Sequence, residues 1–152
     1  MADDLHDADF FAWTRQQATA LRQRRHGENA LDYDNLAEEI EDVGNSQLHA
    51  CESWVDRILE HFIKLELFPA NDAANHWRAE ILAFRRDLRR RLTTTIRNEI
   101  LANWDKTLDD IVRDAVIEYE LKDRGEALAA RLRAYSWEQV VDRSWFPTPS
   151  GD

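Results

Sequence analysis

The residues best suited to chemistry are a dense group of carboxylates and one histidine. Glu38, Glu39 and Asp42 lie within a single helical turn or so of one another, and His61 follows further along the chain. Carboxylate and imidazole groups are common metal ligands and common general acids and bases. One alternative is therefore a metal-dependent or carboxylate–histidine enzyme that uses these four residues.

The spacing of these groups argues against a shared metal ion. Glu39 and His61 are 22 positions apart, about 33 Å along one helix, so they meet only if that helix folds back at Gly44. The patterns Glu-x-x-His, His-x-x-x-His and Cys-x-x-Cys are all absent. The simpler interpretation is a helix start enriched in acids, which suits the helix dipole. We predict no metal and no cofactor.

His61 and Lys64 form a second candidate pair, and the whole candidate functional cluster comprises Glu38, Glu39, Asp42, His61, Lys64, Trp77 and Arg78. A histidine beside tryptophans can act as a general base, and a lysine such as Lys64 can bind a phosphate or carboxylate. The chain has no Gly-rich phosphate loop and no Gly-x-Ser-x-Gly motif. Cys51 falls within an apolar stripe, where cysteine behaves as a small buried hydrophobe. The simpler interpretation of His61 is structural, and the sequence assigns no catalytic residue.

Arginines form a third candidate cluster, between Arg85 and Arg91. Its members are Arg85, Arg86, Arg89, Arg90 and Arg91. Clustered arginines can bind phosphates, so phosphate or nucleic-acid binding is a further alternative. The net charge of −10 opposes nucleic acid at long range, and acids of the preceding helix can pair with several of the arginines. We therefore do not favour nucleic acid as a partner.

These side chains must be positioned by helices, because apolar residues recur at helical spacing along most of the chain. The longest stripe covers about nine turns, through Leu36, Ile40, Val43, Gln47, Cys51, Trp54, Ile58, Phe62 and Leu65. Breaks are predicted at His26–Asn29, Phe68–Pro69, Thr93–Thr95 and Gly125. Asp34 is the predicted cap of the second helix, and Ser136 with Gln139 fits a capping box.

The four long segments lie between these breaks, and shorter pieces follow them. They run from about residue 7 to 25, 34 to 68, 71 to 92 and 96 to 122. Only four glycines and three prolines occur in 152 residues, which disfavours a turn-rich β fold. The sequence predicts a single all-α domain over residues 1–152, a four-helix-bundle-like arrangement of antiparallel helices with a short helical C-terminal lid.

The composition also predicts a compartment. The acidic first residues contain no apolar stretch typical of a signal peptide, and no apolar run approaches the length that crosses a bilayer. A single cysteine cannot form an internal disulfide, which is typical of a reducing compartment. We expect a cytoplasmic protein that is not bound to a membrane.

Several segments together resemble a known bacterial family. The acidic stretch from Leu31 to Gly44 is similar to its signature, and Phe11–Thr14 is similar to its opening motif. Other similar segments are Glu60–Lys64, Trp77–Ile81 and Trp137–Asp142 with Trp145–Pro147. The chain resembles, over almost its whole length, the family called domain of unknown function 29. The resemblance implies a small helical bundle and brings no established activity.

The function that the sequence favours is a non-enzymatic helical module for self-association or for binding a protein partner. The second helix carries a longer apolar stripe than the third helix can cover. The surplus is expected at Leu36, Ile40 and Val43, beside the acidic group. An apolar strip with a charged rim is typical of a protein interface. The alternative is that the first helix covers this strip within the same chain.

Overall fold

The computed structural model describes residues 2–24 and 31–148, and these residues are all-α. The helices are α1 (Ala2–Ala8), α2 (Phe10–Gln23), α3 (Tyr33–Leu67), α4 (Ala74–Arg91), α5 (Thr94–Ala102), α6 (Trp104–Glu118), α7 (Gly125–Arg133) and α8 (Trp137–Val141). A short 3-10 helix, Lys122–Arg124, precedes α7. No strand occurs in the described ranges. The predicted fold class is confirmed, and the helices are compatible with a four-helix-bundle-like domain.

Helix α3 is continuous over 35 residues. It begins one residue earlier than predicted, because the backbone N–H of Asn35 donates to Asp32 Oδ1 at 3.3 Å and Asp34 lies inside the first turn. The predicted cap at Asp34 was therefore wrong. Helix α3 runs through Gly44 without interruption, and the predicted stop at Phe68–Pro69 is confirmed.

Two predicted long segments are each divided in two. The first was predicted to begin near residue 7, but an unpredicted helix, α1, ends at Ala8, and Asp9 caps α2 by accepting the Ala12 backbone N–H at 2.9 Å. The fourth divides at Asn103, between α5 and α6. The break before α5 is confirmed, because Thr93 Oγ1 accepts the Ile96 backbone N–H at 3.2 Å. The predicted stop at His26–Asn29 lies outside the described residues.

The chain divides into two compact units. The first comprises residues 1–51 and 91–101, and the second comprises residues 52–90 and 102–152. The first part of α3 belongs to the first unit and the remainder to the second. The assignment of residues 1–152 to one domain stays a prediction.

In the first unit, α2 lies against α3 at Gly44. A Cβ atom added to Gly44 would be 2.1 Å from Thr14 Oγ1 and 3.4 Å from Phe11 Cδ2. Thr14 and Phe11 are both buried, and the Thr14 hydroxyl donates to the Phe11 carbonyl at 2.8 Å. Glycine is therefore needed at position 44 for the close approach of two helices.

The second unit has a larger apolar core and a buried arginine. Its most deeply buried apolar side chains include Ile58, Leu59, Phe62, Ile81, Leu88, Leu108, Leu132 and Val140. The capping box predicted for α8 is confirmed at Ser136 and Gln139. Arg85 of α4 donates from Nε to the Val140 carbonyl at 2.8 Å and from Nη2 to the Gln139 carbonyl at 3.0 Å. Arg85 thus attaches the end of α8 to α4.

Candidate functional site

The acidic group lies on the first part of α3, where Glu38, Glu39 and Asp42 are all exposed. Their neighbour Glu41 is half-buried and lies 2.5 Å from Arg22 of α2. The hydrogen bond from Arg22 lowers the pKa of the Glu41 carboxyl below its usual value. The acids thus differ in role, because Glu41 links two helices while the other three face solvent.

His61 belongs to the second unit, and both of its ring nitrogens have partners. Nδ1 lies 2.7 Å from the Arg57 carbonyl oxygen, and Nε2 lies 2.7 Å from Glu80 Oε2. A backbone carbonyl can only accept, so Nδ1 donates. The hydrogen bond with His61 lowers the pKa of the Glu80 carboxyl below its usual value. Both ring nitrogens are therefore engaged in hydrogen bonds within the chain.

This arrangement makes His61 a poor general base. A general base needs a nitrogen that can take a proton from a substrate within hydrogen-bond reach. Both nitrogens of His61 are engaged, and only 9% of its side chain is exposed. The geometry supports the structural interpretation of His61, as a hydrogen-bonded link between α3 and α4.

Three side-chain pairs share this α3–α4 surface. Besides His61 and Glu80, the Lys64 ammonium lies 6.0 Å from the centre of the Trp77 ring, and Arg57 lies 5.8 Å from the Phe84 ring. In each pair the two residue numbers add to the same value, as expected for antiparallel helices around the turn at residues 70 and 71. The structure therefore brings His61, Lys64 and Trp77 together.

Arg78 has a local partner on its own helix. Its Nη1 donates to Asn75 Oδ1 at 3.2 Å. Glu80, which was not among the predicted site residues, is the carboxylate of this surface, and His76 Nε2 lies 3.4 Å from its second oxygen. The antiparallel register would have identified Glu80 as the partner of His61.

The acidic group and this α3–α4 surface are in different compact units. Glu38, Glu39 and Asp42 belong to the first unit, whereas His61 belongs to the second. Helix α3 is continuous at Gly44, so the fold-back that a shared metal requires does not occur there. In residues 2–24 and 31–148, no three His, Cys, Asp or Glu side chains are grouped so that they could hold a metal ion.

A cleft of about 230 Å³ lies between α3 and α6 in the second unit. It is lined by Glu60, Ile63, Lys64, Ile111, Asp114, Ala115, Glu118 and Tyr119. Near it, burial together with the charges of Glu60 and Glu52 raises the pKa of Asp56 to about 6. His61 does not line this cleft, so the cleft and the histidine do not form one site.

The arginine cluster does not present a single surface. Arg85 is only 1% exposed, and burial lowers the pKa of its guanidinium to about 10. Its charge lies between the rings of Phe62 and Phe146, at 5.5 and 5.3 Å. The expectation that Arg85 contributes to a phosphate-binding surface was therefore wrong. Arg86, Arg89, Arg90 and Arg91 are exposed.

The apolar strip on α3, formed by Leu36, Ile40 and Val43, is partly open to solvent. Leu36 is 38% exposed and Val43 is 48% exposed, while Ile40 is intermediate. The buried face of this part of α3 is formed instead by Ala37, Gly44 and Leu48. That face is about 90° around the helix from the strip.

Helix α2 explains this difference, because it contacts α3 on the face of small residues. Thr14 and Phe11 pack at Gly44, and Arg22 pairs with Glu41. Both contacts lie on the side of α3 that carries Ala37. The alternative that α2 covers the whole strip was therefore wrong for Leu36 and Val43.

Comparison with known proteins relates the chain to a family and to a helical structure whose functions are unknown. The family described as "Domain of unknown function DUF29" matches residues 5–146, which confirms the resemblance found in the sequence. A solved structure, an alpha-helical protein of unknown function from Rhodospirillum rubrum, is 27% identical, with a TM-score of 0.67. The match covers 84% of this chain and 96% of that chain. No curated protein matches.

Proposed function

We propose that this chain, which belongs to the family described as domain of unknown function DUF29, is a non-enzymatic module for helical protein interaction. The family has no established activity, so the support for this function comes from the surface of the chain itself. The docking surface is the apolar strip of Leu36, Ile40 and Val43. The observation that carries this proposal is the exposure of two large apolar side chains two turns apart on one helix face.

The geometry of the first unit supports this proposal. Scattered exposed leucines and valines are normal on protein surfaces, but a strip at helical spacing offers a continuous contact line. Helix α2 is committed to the neighbouring face, through Thr14 against Gly44 and Arg22 against Glu41. It cannot also cover Leu36 and Val43 without losing those contacts.

The composition of the strip fits helix-in-groove recognition. Leu36, Ile40 and Val43 follow the spacing i, i+4, i+7, which is the spacing of anchors in paired amphipathic helices. Burial of apolar surface contributes about 25 cal/mol per Å², so two large side chains offer a few kcal/mol to a partner. Acids beside the strip supply a polar rim.

We also propose the cytoplasm as the compartment of this protein. The support is Cys51, a buried thiol in a chain that has no second cysteine. In the described ranges, no helix combines the length and apolar composition needed to cross a bilayer. Fractionation of cells that produce the chain at native level, followed by immunodetection, tests the proposed compartment.

Site-specific photo-crosslinking tests the interaction. A photoreactive amino acid is placed at Val43 or at Leu36, and the matched control carries it at Glu38, which is exposed about 200° around α3 from Leu36. We expect an adduct from Val43 and Leu36 in living cells, and none from Glu38. In a chain with the crosslinker at Val43, the substitution Leu36→Asp should abolish the adduct while helicity is unchanged.

Two masses complete this test, the mass of the crosslinked adduct and the mass of the wild-type protein in solution. An adduct of twice the chain mass indicates self-association, and any other mass indicates a different protein. If the wild type is monomeric at high micromolar concentration and yields no adduct at either position, or the same adduct at Glu38, the proposal is wrong.

A further inference from the structure

We infer that the strip binds a basic amphipathic helix of another protein and not a second copy of this chain. This inference rests on the proposed function, because it names the partner of the same surface. It is carried by the charges that surround Leu36, Ile40 and Val43.

The first part of α3 is strongly and uniformly acidic. Between Leu31 and Cys51 there are six acids and no lysine or arginine. Glu41 is paired with Arg22, on the side of α3 that faces α2. Glu39 is about 60° around the helix from Leu36, on the other side of the strip, and Asp42 is one turn further along. Both are exposed, so the open side of the strip has an acidic rim.

A second copy would meet this rim with the same charges. A closed homodimer uses the same patch on both subunits, so Glu39 and Asp42 of one copy would lie beside acids of the other. Like charges that face each other across an interface cost free energy and suppress such pairing. The charge pattern therefore disfavours self-association through this strip.

A helix with lysine or arginine beside its apolar ridge satisfies both features. Its apolar side chains would pack along the strip, which is about 10 Å long from Leu36 to Val43. Its cations would pair with Glu39 and Asp42, which increases the association rate and fixes the register of the two helices. The chemistry of the partner is thus apolar along one face and positively charged on the flanks.

Two synthetic peptides test this inference with the full-length protein. Each is a hydrocarbon-stapled helix with leucines at positions i, i+4 and i+7, flanked either by arginines or by glutamates. We expect the arginine peptide to bind, measured by fluorescence anisotropy, and the glutamate peptide not to bind. The double variant Glu39→Lys with Asp42→Lys should weaken binding by about tenfold or more.

Control variants separate recognition at the strip from general attraction between opposite charges. Glu126→Lys with Glu138→Lys makes the same change in net charge at exposed positions outside the first unit, and should alter the affinity by less than about twofold. Leu36→Asp should abolish binding although it adds a negative charge. Equal weakening by both double variants, or unchanged binding by Leu36→Asp, overturns the inference.

The outcomes also distinguish this inference from the proposed function. A wild-type dimer that crosslinks to itself at Val43 and ignores both peptides refutes the basic partner but keeps the interaction module. A monomer that yields no crosslink and binds neither peptide refutes both. Binding of the arginine peptide that depends on Leu36, Glu39 and Asp42 supports both.

Discussion

The substitution Gly44→Ala tests the close contact between α2 and α3. In the middle of an ordinary exposed helix, alanine in place of glycine stabilises by about 1 kcal/mol, because it restricts the unfolded chain and favours the helix. At this position the added methyl group would lie 2.1 Å from Thr14 Oγ1 and 3.1 Å from Thr14 Cβ. The contact predicts the opposite sign.

The size of the effect depends on how the clash is relieved. If α2 and α3 separate, overpacking costs about 1 to 3 kcal/mol. If Thr14 rotates, its hydroxyl loses the Phe11 carbonyl in a buried position, which costs about 1 to 3 kcal/mol. Subtracting the gain of about 1 kcal/mol in helix propensity leaves a net loss of about 0 to 2 kcal/mol in the free energy of unfolding.

Urea denaturation followed by circular dichroism measures this loss. In a Thr14→Ala background the 2.1 Å contact is absent, so Gly44→Ala should cost much less, and the double-mutant cycle should show favourable coupling of about 1 kcal/mol. The control Ser46→Ala, at an exposed position of α3, should be neutral or slightly stabilising. If Gly44→Ala stabilises the protein by about 1 kcal/mol, as at an open site, the close contact does not exist.

Three further substitutions test the polar links. Arg85→Ala should destabilise the protein by about 3 kcal/mol, since two carbonyls lose a charged donor and a cavity remains. Because Arg85 attaches the end of α8 to α4, trypsin should also cleave faster at Arg143, just after α8, and mass spectrometry measures that rate. Glu80→Gln should cost about 1 kcal/mol at neutral pH, a value reduced for a carboxylate that is one-third exposed. The pKa of Glu80 is lower in the folded state than in the unfolded state. The stabilisation by Glu80 is therefore present above the ordinary carboxyl pKa and disappears as the pH falls through the lowered value. The unfolding curves of wild type and variant should thus converge in acid. Asp9→Ala should lower the free energy of unfolding by about 1 to 2 kcal/mol, because it removes the cap of α2. Burial raises the pKa of Asp9, but hydrogen bonds from the backbone N–H groups of Ala12 and Thr95 lower it overall. The curves of wild type and variant should therefore converge in acid here too. A difference that grows as the pH falls would contradict either assignment.

Helix existence and most helix ends followed from the sequence. Apolar spacing, the threonines at 93–95 and the capping box at Ser136 indicate local geometry directly, and each was confirmed. The breaks at Asp9 and Asn103 were not predicted, because the apolar pattern continues through both. At Asp9 the break is explained by a tertiary contact, since its second oxygen accepts the Thr95 backbone N–H of α5 at 2.9 Å.

The partners of charged side chains were the hardest feature to predict. Arg85 looked like one member of an exposed basic run, and nothing local distinguishes it from Arg86. Its burial depends on the end of α8, more than fifty residues away in sequence. Glu80 was recoverable in principle, because antiparallel register around the turn pairs it with His61.

The face of α3 that α2 contacts was not predicted from the sequence, and the reason bears on function. A hydrophobicity pattern gives weight to large side chains, so it identified Leu36, Ile40 and Val43, which were expected to be left uncovered, and it gave no weight to the small residues beside them. The chain instead buries Ala37 and Gly44, whose small side chains allow α2 to approach closely. Close approach gains dispersion contacts over many backbone and Cβ atoms, which compensates for the small apolar area of each residue.

The first part of α3 therefore has two faces of different kinds. The face of small residues is used within the chain, and its geometry is tightly constrained by Thr14 against Gly44. The face of large residues is left at the surface, where Leu36 and Val43 remain partly open to solvent. If Gly44→Ala shifts α2, the shift occurs beside this strip. A variant that remains folded should therefore bind the arginine peptide with altered affinity, even though Gly44 does not belong to the strip. Unchanged affinity in a destabilised Gly44→Ala protein would show that the two faces act independently.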